Sequence, residues 1–174
     1  MGWAWLILLL ATYPWLLGAD LATDMLAGAG VIMFISGACI IAPCRRLRPI
    51  QAVPFAACVG FLFEARRPIP DGALAITLVA ASIFLTANKP LLRNTPRLLR
   101  AAIITNTAGC IVWCVAVNLA LDPTRGASSA SPWAQFILQV GIATIVGAAA
   151  FIPISLVQNF AMDRIGIPPA ADTP

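Results

Sequence analysis

Residues 44–72 read CRRLRPIQAVPFAACVGFLFEARRPIPDG, and the fold turns on whether the uncharged run inside them, residues 49–63, crosses a membrane. A helix that spans the hydrocarbon needs about 20 apolar residues, with about 17 as a floor, so this run by itself falls short. Five neighbouring stretches that carry no Lys, Arg, Asp or Glu reach that length: residues 1–19, 25–44, 72–88, 101–121 and 126–162. Charge bias decides the doubtful run. If it crosses, eight of the 11 Lys and Arg residues fall on the side of both termini and three opposite. If it does not, they divide six against five and set no orientation. Cytoplasmic loops carry the Lys/Arg excess. Six crossings with both termini cytoplasmic is therefore the expected topology.

Composition agrees. The chain has 174 residues, 60% apolar and 10% charged, with a mean hydropathy of +0.91. Soluble domains hold about 25% charged residues. The loops leave no room for a second domain, so residues 1–174 read as one all-α polytopic bundle of about six transmembrane helices. The first apolar window lacks a basic flank before it and reads as a retained helix rather than a secretory signal. The net charge of +4 sits in loop clusters, which suits topology signals and contacts with membrane lipids rather than nucleic acid. The five Cys form no C-x-x-C motif and there is no His, so no zinc or haem site is expected. Cysteines in apolar windows act as small hydrophobes.

Helices are predicted over residues 3–17, 25–42, 50–63, 73–87, 101–121 and 134–162. Trp3, Trp5, Tyr13 and Trp15 mark interfaces of the first helix, and Pro14 is expected to kink its last turn. An acidic connection, Asp20 to Asp24, leads to the second. There Gly28, Gly30 and Gly37 give room for close helix contact. Pro68, Pro70 and Gly72 form a turn before the fourth helix. Residues 89–100, with Leu91, Leu92, Leu98 and Leu99 among basic residues, suit a segment lying on the membrane surface.

Three places carry candidate functional residues. Glu64 ends the third helix next to Arg66 and Arg67; an ionisable group at a membrane boundary is either a functional residue or a solvated cap. On the fifth helix Thr107, Cys114 and Asn118 fall near one line at about 100° per residue, with Asn106 beside it. That seam serves either interhelical hydrogen bonds or a ligand. On the sixth, Gln135, Gln139, Ala143 and Gly147 recur at i,i+4, as in packing within the chain or a seat for a partner's helix. Enzyme signatures such as HExxH, GxSxG, the P-loop and GxGxxG are absent, and no acid pair is placed for general acid–base work within the membrane. The chain is expected not to be an enzyme and to need no cofactor.

The stretch from the third helix to the second basic cluster resembles the rod shape-determining protein MreD family. The resemblance rests on Gly60-Phe-Leu-Phe-Glu64, on Gly72 at the turn and on Leu91-Leu92-Arg93-Asn94 at the exit of the fourth helix. Arg164 after the last helix fits as well. Two departures stand out: Glu64 replaces the usual Asp, and Arg66-Arg67-Pro68 replaces a small-residue turn, so Arg67 has no family counterpart. The resemblance implies a non-enzymatic subunit of the bacterial cell-elongation machinery in the inner membrane. Its partners would be membrane-anchored MreC and, through it, MreB and the peptidoglycan synthases. It also implies a fold like the S components of energy-coupling-factor vitamin transporters, which makes such a subunit the alternative. Asn106, Thr107, Asn118 and Gln139 would then line its pocket.

Overall fold

The computed structural model describes residues 3–26, 28, 31–65, 72–92, 94–120 and 132–168. Among them the chain is all-helical: α1 (Ala4–Met25), α2 (Ser36–Arg46), α3 (Pro49–Glu64), α4 (Ala73–Ala87), a 3₁₀ turn (Lys89–Leu92), α5 (Thr95–Ala120) and α6 (Pro132–Arg164). Three stretches, Ala4–Met25, Thr95–Val117 and Trp133–Arg164, are long and apolar enough to cross a membrane, while α3 and α4 are shorter apolar helices. The outer faces point the same way. Ile76, Phe84, Ile104, Ile137, Ile145, Leu156 and Phe160 are all more than half exposed, an arrangement that suits lipid and not water.

The helices pack around α2. Every residue from Phe34 to Cys44 is buried, and a helix buried on all sides belongs at the centre of a bundle. Its small residues Gly37, Ala38, Cys39 and Ala42 let neighbouring backbones approach. A Cβ on Gly37 would lie 2.4 Å from the Asn106 Cα. α3 and α4 form a tight antiparallel hairpin, α5 pairs with α6, and α1 lies against α3 and α6. Phe34, Phe63 and Trp113 stack edge to face through the core, with centroids 4.8 and 5.7 Å apart.

Four expected elements differ from the structure. The first helix does not stop at residue 17. Pro14 lies inside it and Asp20 and Asp24 belong to it, with Asp20 buried. A charge marks where a helix leaves hydrocarbon but does not interrupt its backbone hydrogen bonds, so the acidic connection is helical.

The second helix is shorter than expected and starts later, at Ser36 rather than residue 25. Val31–Ile35 is non-helical and only Ser36–Arg46 is helical. β-branched Val31, Ile32 and Ile35 favour extended backbone, and other elements supply the hydrogen bonds a helix would have made. Gly28 has nothing within 4 Å of a Cβ position, so of the expected contact glycines Gly37 alone is shown at an interface; Gly30 lies outside the described residues.

Residues 89–100 do not form a separate segment: Lys89–Leu92 is the 3₁₀ turn and Thr95 onward belongs to α5. Leu92 and Leu98 are buried, 1% and 8% exposed, while Lys89, Arg97 and Arg100 are exposed. Finally, α5 begins at Thr95 rather than 101, and α6 runs from Pro132 to Arg164, about two residues longer at each end than expected.

Candidate functional site

The stretch before α2 poses a physical problem. Backbone that is not helical, inside an apolar bundle, leaves N–H and C=O groups unpaired unless protein atoms satisfy them. Side chains from three helices do so. Gln139 of α6 treats Ile32 as a strand neighbour would: its Oε1 accepts from the Ile32 N–H at 3.0 Å and its Nε2 donates to the Ile32 carbonyl at 2.6 Å. Thr23 of α1 accepts from the Met33 N–H at 3.0 Å.

Asn106 of α5 finishes the work. Its Nδ2 donates to the Phe34 carbonyl at 2.7 Å and to the Ala143 carbonyl of α6 at 2.8 Å. Its Oδ1 accepts from the Gly37 N–H at 3.2 Å. Gly37 sits in the first turn of α2, where backbone donors have no helical partner, so Asn106 caps α2 from another helix. The amide is fully buried, and a Cβ on Gly147 would lie 2.4 Å from its Nδ2. Gly147 is what lets the amide sit between α5 and α6.

The two seams expected on the fifth and sixth helices therefore meet each other. Asn106, Gln139, Ala143 and Gly147 form one internal junction, and the Thr107 and Thr144 hydroxyls lie 3.0 Å apart beside it. The Gln139–Gly147 seam packs within the chain rather than presenting a seat for a partner's helix. Gln135 is exposed. The Asn118 side chain lies outside the described residues.

A second junction joins α3 to α4. Glu64 is 1% exposed and is not a solvated cap. Its Oε2 accepts from the Gly72 N–H at 2.8 Å and its Oε1 from the Leu74 N–H at 2.6 Å. These are donors at the start of α4, where an acidic group suits the helix dipole. Gly72 adopts φ +107°, a left-handed conformation that costs a Cβ-bearing residue about 1 kcal/mol or more. One turn before Glu64, Gly60 meets α4 so closely that a Cβ would lie 2.4 Å from the Ala75 Cα. Gly60, Glu64 and Gly72 thus act together, in building the hairpin. Arg67 and Arg93 lie outside the described residues. Asn94 is exposed and its carbonyl accepts the first N–H groups of α5, from Arg97 and Leu98.

Sequence reasoning missed two further junctions. Gln158 of α6 is buried, and its Nε2 donates to the Thr12 hydroxyl of α1 at 2.9 Å and to the Cys39 carbonyl of α2 at 2.8 Å. A lone Gln deep in an apolar window was the available signal. Arg46, in the basic cluster at the end of α2, also reaches around the end of α6. Its side chain, 6% exposed, pairs with Asp163 at 2.5 Å and donates to the Ile167 carbonyl at 2.6 Å. A cation at a helix C-terminus complements the dipole there.

Chemically, the junctions hold amides, hydroxyls, the carboxyls of Glu64 and Asp163 and the guanidinium of Arg46, most of them spent on backbone groups. Among the described residues no three His, Cys, Asp or Glu side chains come together as a metal site. The polar residues are arranged to set helix positions. No family model, curated protein or solved structure matches the chain.

Proposed function

We propose that the chain is a non-enzymatic scaffold subunit of the bacterial cell-elongation machinery, of the MreD kind, crossing the inner membrane six times with both termini cytoplasmic. One observation carries the scaffold reading. The polar side chains that a substrate-binding subunit would turn towards a ligand, Asn106 and Gln139 above all, are consumed by backbone groups of the chain's own non-helical segment. A pocket for a vitamin needs convergent polar groups with free capacity. A scaffold needs rigid helices in fixed places, and these bonds serve that end.

The six crossings are supported by the bias of eight basic residues to one side and three to the other. The cell-elongation assignment rests on the resemblance around Gly60, Glu64, Gly72 and residues 91–94. Its partners are then membrane-anchored MreC and, through it, MreB and the peptidoglycan synthases.

The test is affinity purification of the tagged chain from its native membrane in mild detergent, followed by identification of co-purifying proteins and small molecules. Recovery of MreC or a penicillin-binding transpeptidase, without a bound vitamin, is the expected result. A stoichiometric vitamin or a co-purifying ATPase module overturns the assignment in favour of a transporter S component.

A further inference from the structure

Between α4 and α5 runs a groove of about 560 Å³ that the interior junctions do not use. Thr77, Ala81 and Leu85 line it from α4, and Ala101, Thr105 and Ala108 from α5. These positions recur at i,i+3 and i,i+4, so each wall is a single helical stripe. The alanines leave the trough. Phe84 and Ile104, 59% and 66% exposed, flank it and carry the apolar surface out to where lipid would lie. At one end only, the stripe on α5 continues into Arg97 and Arg100, both exposed. Arg97 is held by a 3.4 Å bond from its Nη1 to the Pro90 carbonyl. Among the described residues, no acidic side chain lines the groove.

Depth narrows the occupant. From Arg97 to Ala108 is about 16 Å at 1.5 Å per residue, close to the roughly 15 Å of one leaflet's hydrocarbon. The groove is therefore one leaflet deep, apolar along its length, and doubly cationic where headgroups would be. The start of α5 lies at the same end and adds its dipole to the two guanidinium groups. The basic end is also on the side that the Lys/Arg bias makes cytoplasmic, where anionic lipids concentrate.

We propose that this groove is a binding site for one anionic phospholipid, with its phosphate on Arg97 and Arg100 and an acyl chain lying between α4 and α5. The chemistry is complementary at both ends. Guanidinium forks bind phosphate oxygens in pairs, and beyond the arginines the lining is Ala, Leu, Ile and Phe with two threonines, of which Thr77 donates its hydroxyl to the Ala73 carbonyl.

The experiment uses the full chain in detergent with added phosphatidylglycerol or phosphatidylcholine, and lipid binding is read by native mass spectrometry. Wild type is expected to retain phosphatidylglycerol about 10- to 30-fold more tightly, as two basic residues at a headgroup imply. Arg97→Gln with Arg100→Gln is expected to reduce that preference to within about threefold, while Lys89→Gln leaves it in place. Because both arginines are exposed, thermal unfolding of the double variant serves as the folding control. In parallel, phosphatidylglycerol with a photoreactive acyl chain should label peptides covering residues 77–85 and 97–108. Equal retention of the two lipids by wild type, a preference that survives the double substitution, or labelling concentrated on α1 and α6 overturns the proposal.

Discussion

Replacing Asn106 by Ala is the most informative single change in this protein, because its cost follows from counting groups. The Ala143 carbonyl sits inside α6 and keeps its own helical partner. The Phe34 carbonyl and the Gly37 N–H lie in and next to non-helical backbone, and Asn106 is the partner each is seen to use. Orphaning a buried backbone group costs about 1–3 kcal/mol, so two such groups and a small cavity come to about 3–5 kcal/mol. Side-chain hydrogen bonds within membranes average only about 0.6 kcal/mol, because unfolded helices find other partners. The larger figure applies here because the orphaned groups have no helical partner to return to. Thr107→Val, on the next residue, is the internal comparison. It leaves Thr144 bonded to the Val140 carbonyl and should cost under about 1 kcal/mol. The assay is thermal unfolding in detergent with a thiol-reactive dye, for which the buried thiols are Cys39 and Cys44 of α2 and Cys110 of α5. At about 2–4 °C per kcal/mol for a chain of this size, Asn106→Ala should lower the midpoint by about 6–20 °C and Thr107→Val by under about 4 °C. Equal shifts for the two variants, or a shift below about 2 °C for Asn106→Ala, would refute the capping argument.

Three other outcomes can be read in the same assay. Glu64→Ala uncovers the Gly72 and Leu74 N–H groups and should cost about 2–4 kcal/mol, with Glu64→Gln, which keeps one acceptor oxygen, between it and wild type. Gly60→Val drives a branched side chain into the Ala75 backbone. It should separate α3 from α4, with a loss of at least about 3 kcal/mol or no folded protein at all, whereas Gly109→Ala, which meets only side-chain atoms at 3.0 Å or beyond, should be tolerated within about 1–2 kcal/mol. Arg46→Lys preserves the positive charge but loses the guanidinium's set of contacts, to Asp163 and to the carbonyls of Asn159, Ile167 and Pro168. It should lower stability by about 1–2 kcal/mol while leaving the topology unchanged in cysteine-labelling of the two membrane faces, and an inverted topology would show that charge placement at Arg46 was misjudged.

Much of the site was in view as residue types without being in view as contacts. Asn106, Gln139 and Gly147 stood out because amides and small residues at regular spacing are costly or unusual in an apolar helix, yet nothing in their spacing named the backbone they would serve. Glu64 was legible as an ionisable group at a helix end, and its role as an N-terminal cap for α4 required the turn to bring Gly72 and Leu74 back to it. Gln158 and Arg46 were passed over, one for being alone and one for belonging to a cluster that had another explanation.

Sequence alone determined that the chain is helical, that its helices are apolar, and close to where α3 and α4 begin and end, because Pro49, Gly72 and the flanking charges act locally. It also picked out Gly37 and Gly147, two of the glycines that allow close approach. Only the tertiary structure decided that Val31–Ile35 abandons the helix and that α1 keeps it through Asp20 and Asp24. The reason is energetic. Hydropathy scores side chains, and an apolar segment scores the same whether its backbone is helical or not. What separates the two is whether other helices hold side chains that can satisfy the freed backbone, and for Val31–Ile35 those side chains are Thr23, Asn106 and Gln139, of which the last two are more than 70 residues further along the chain.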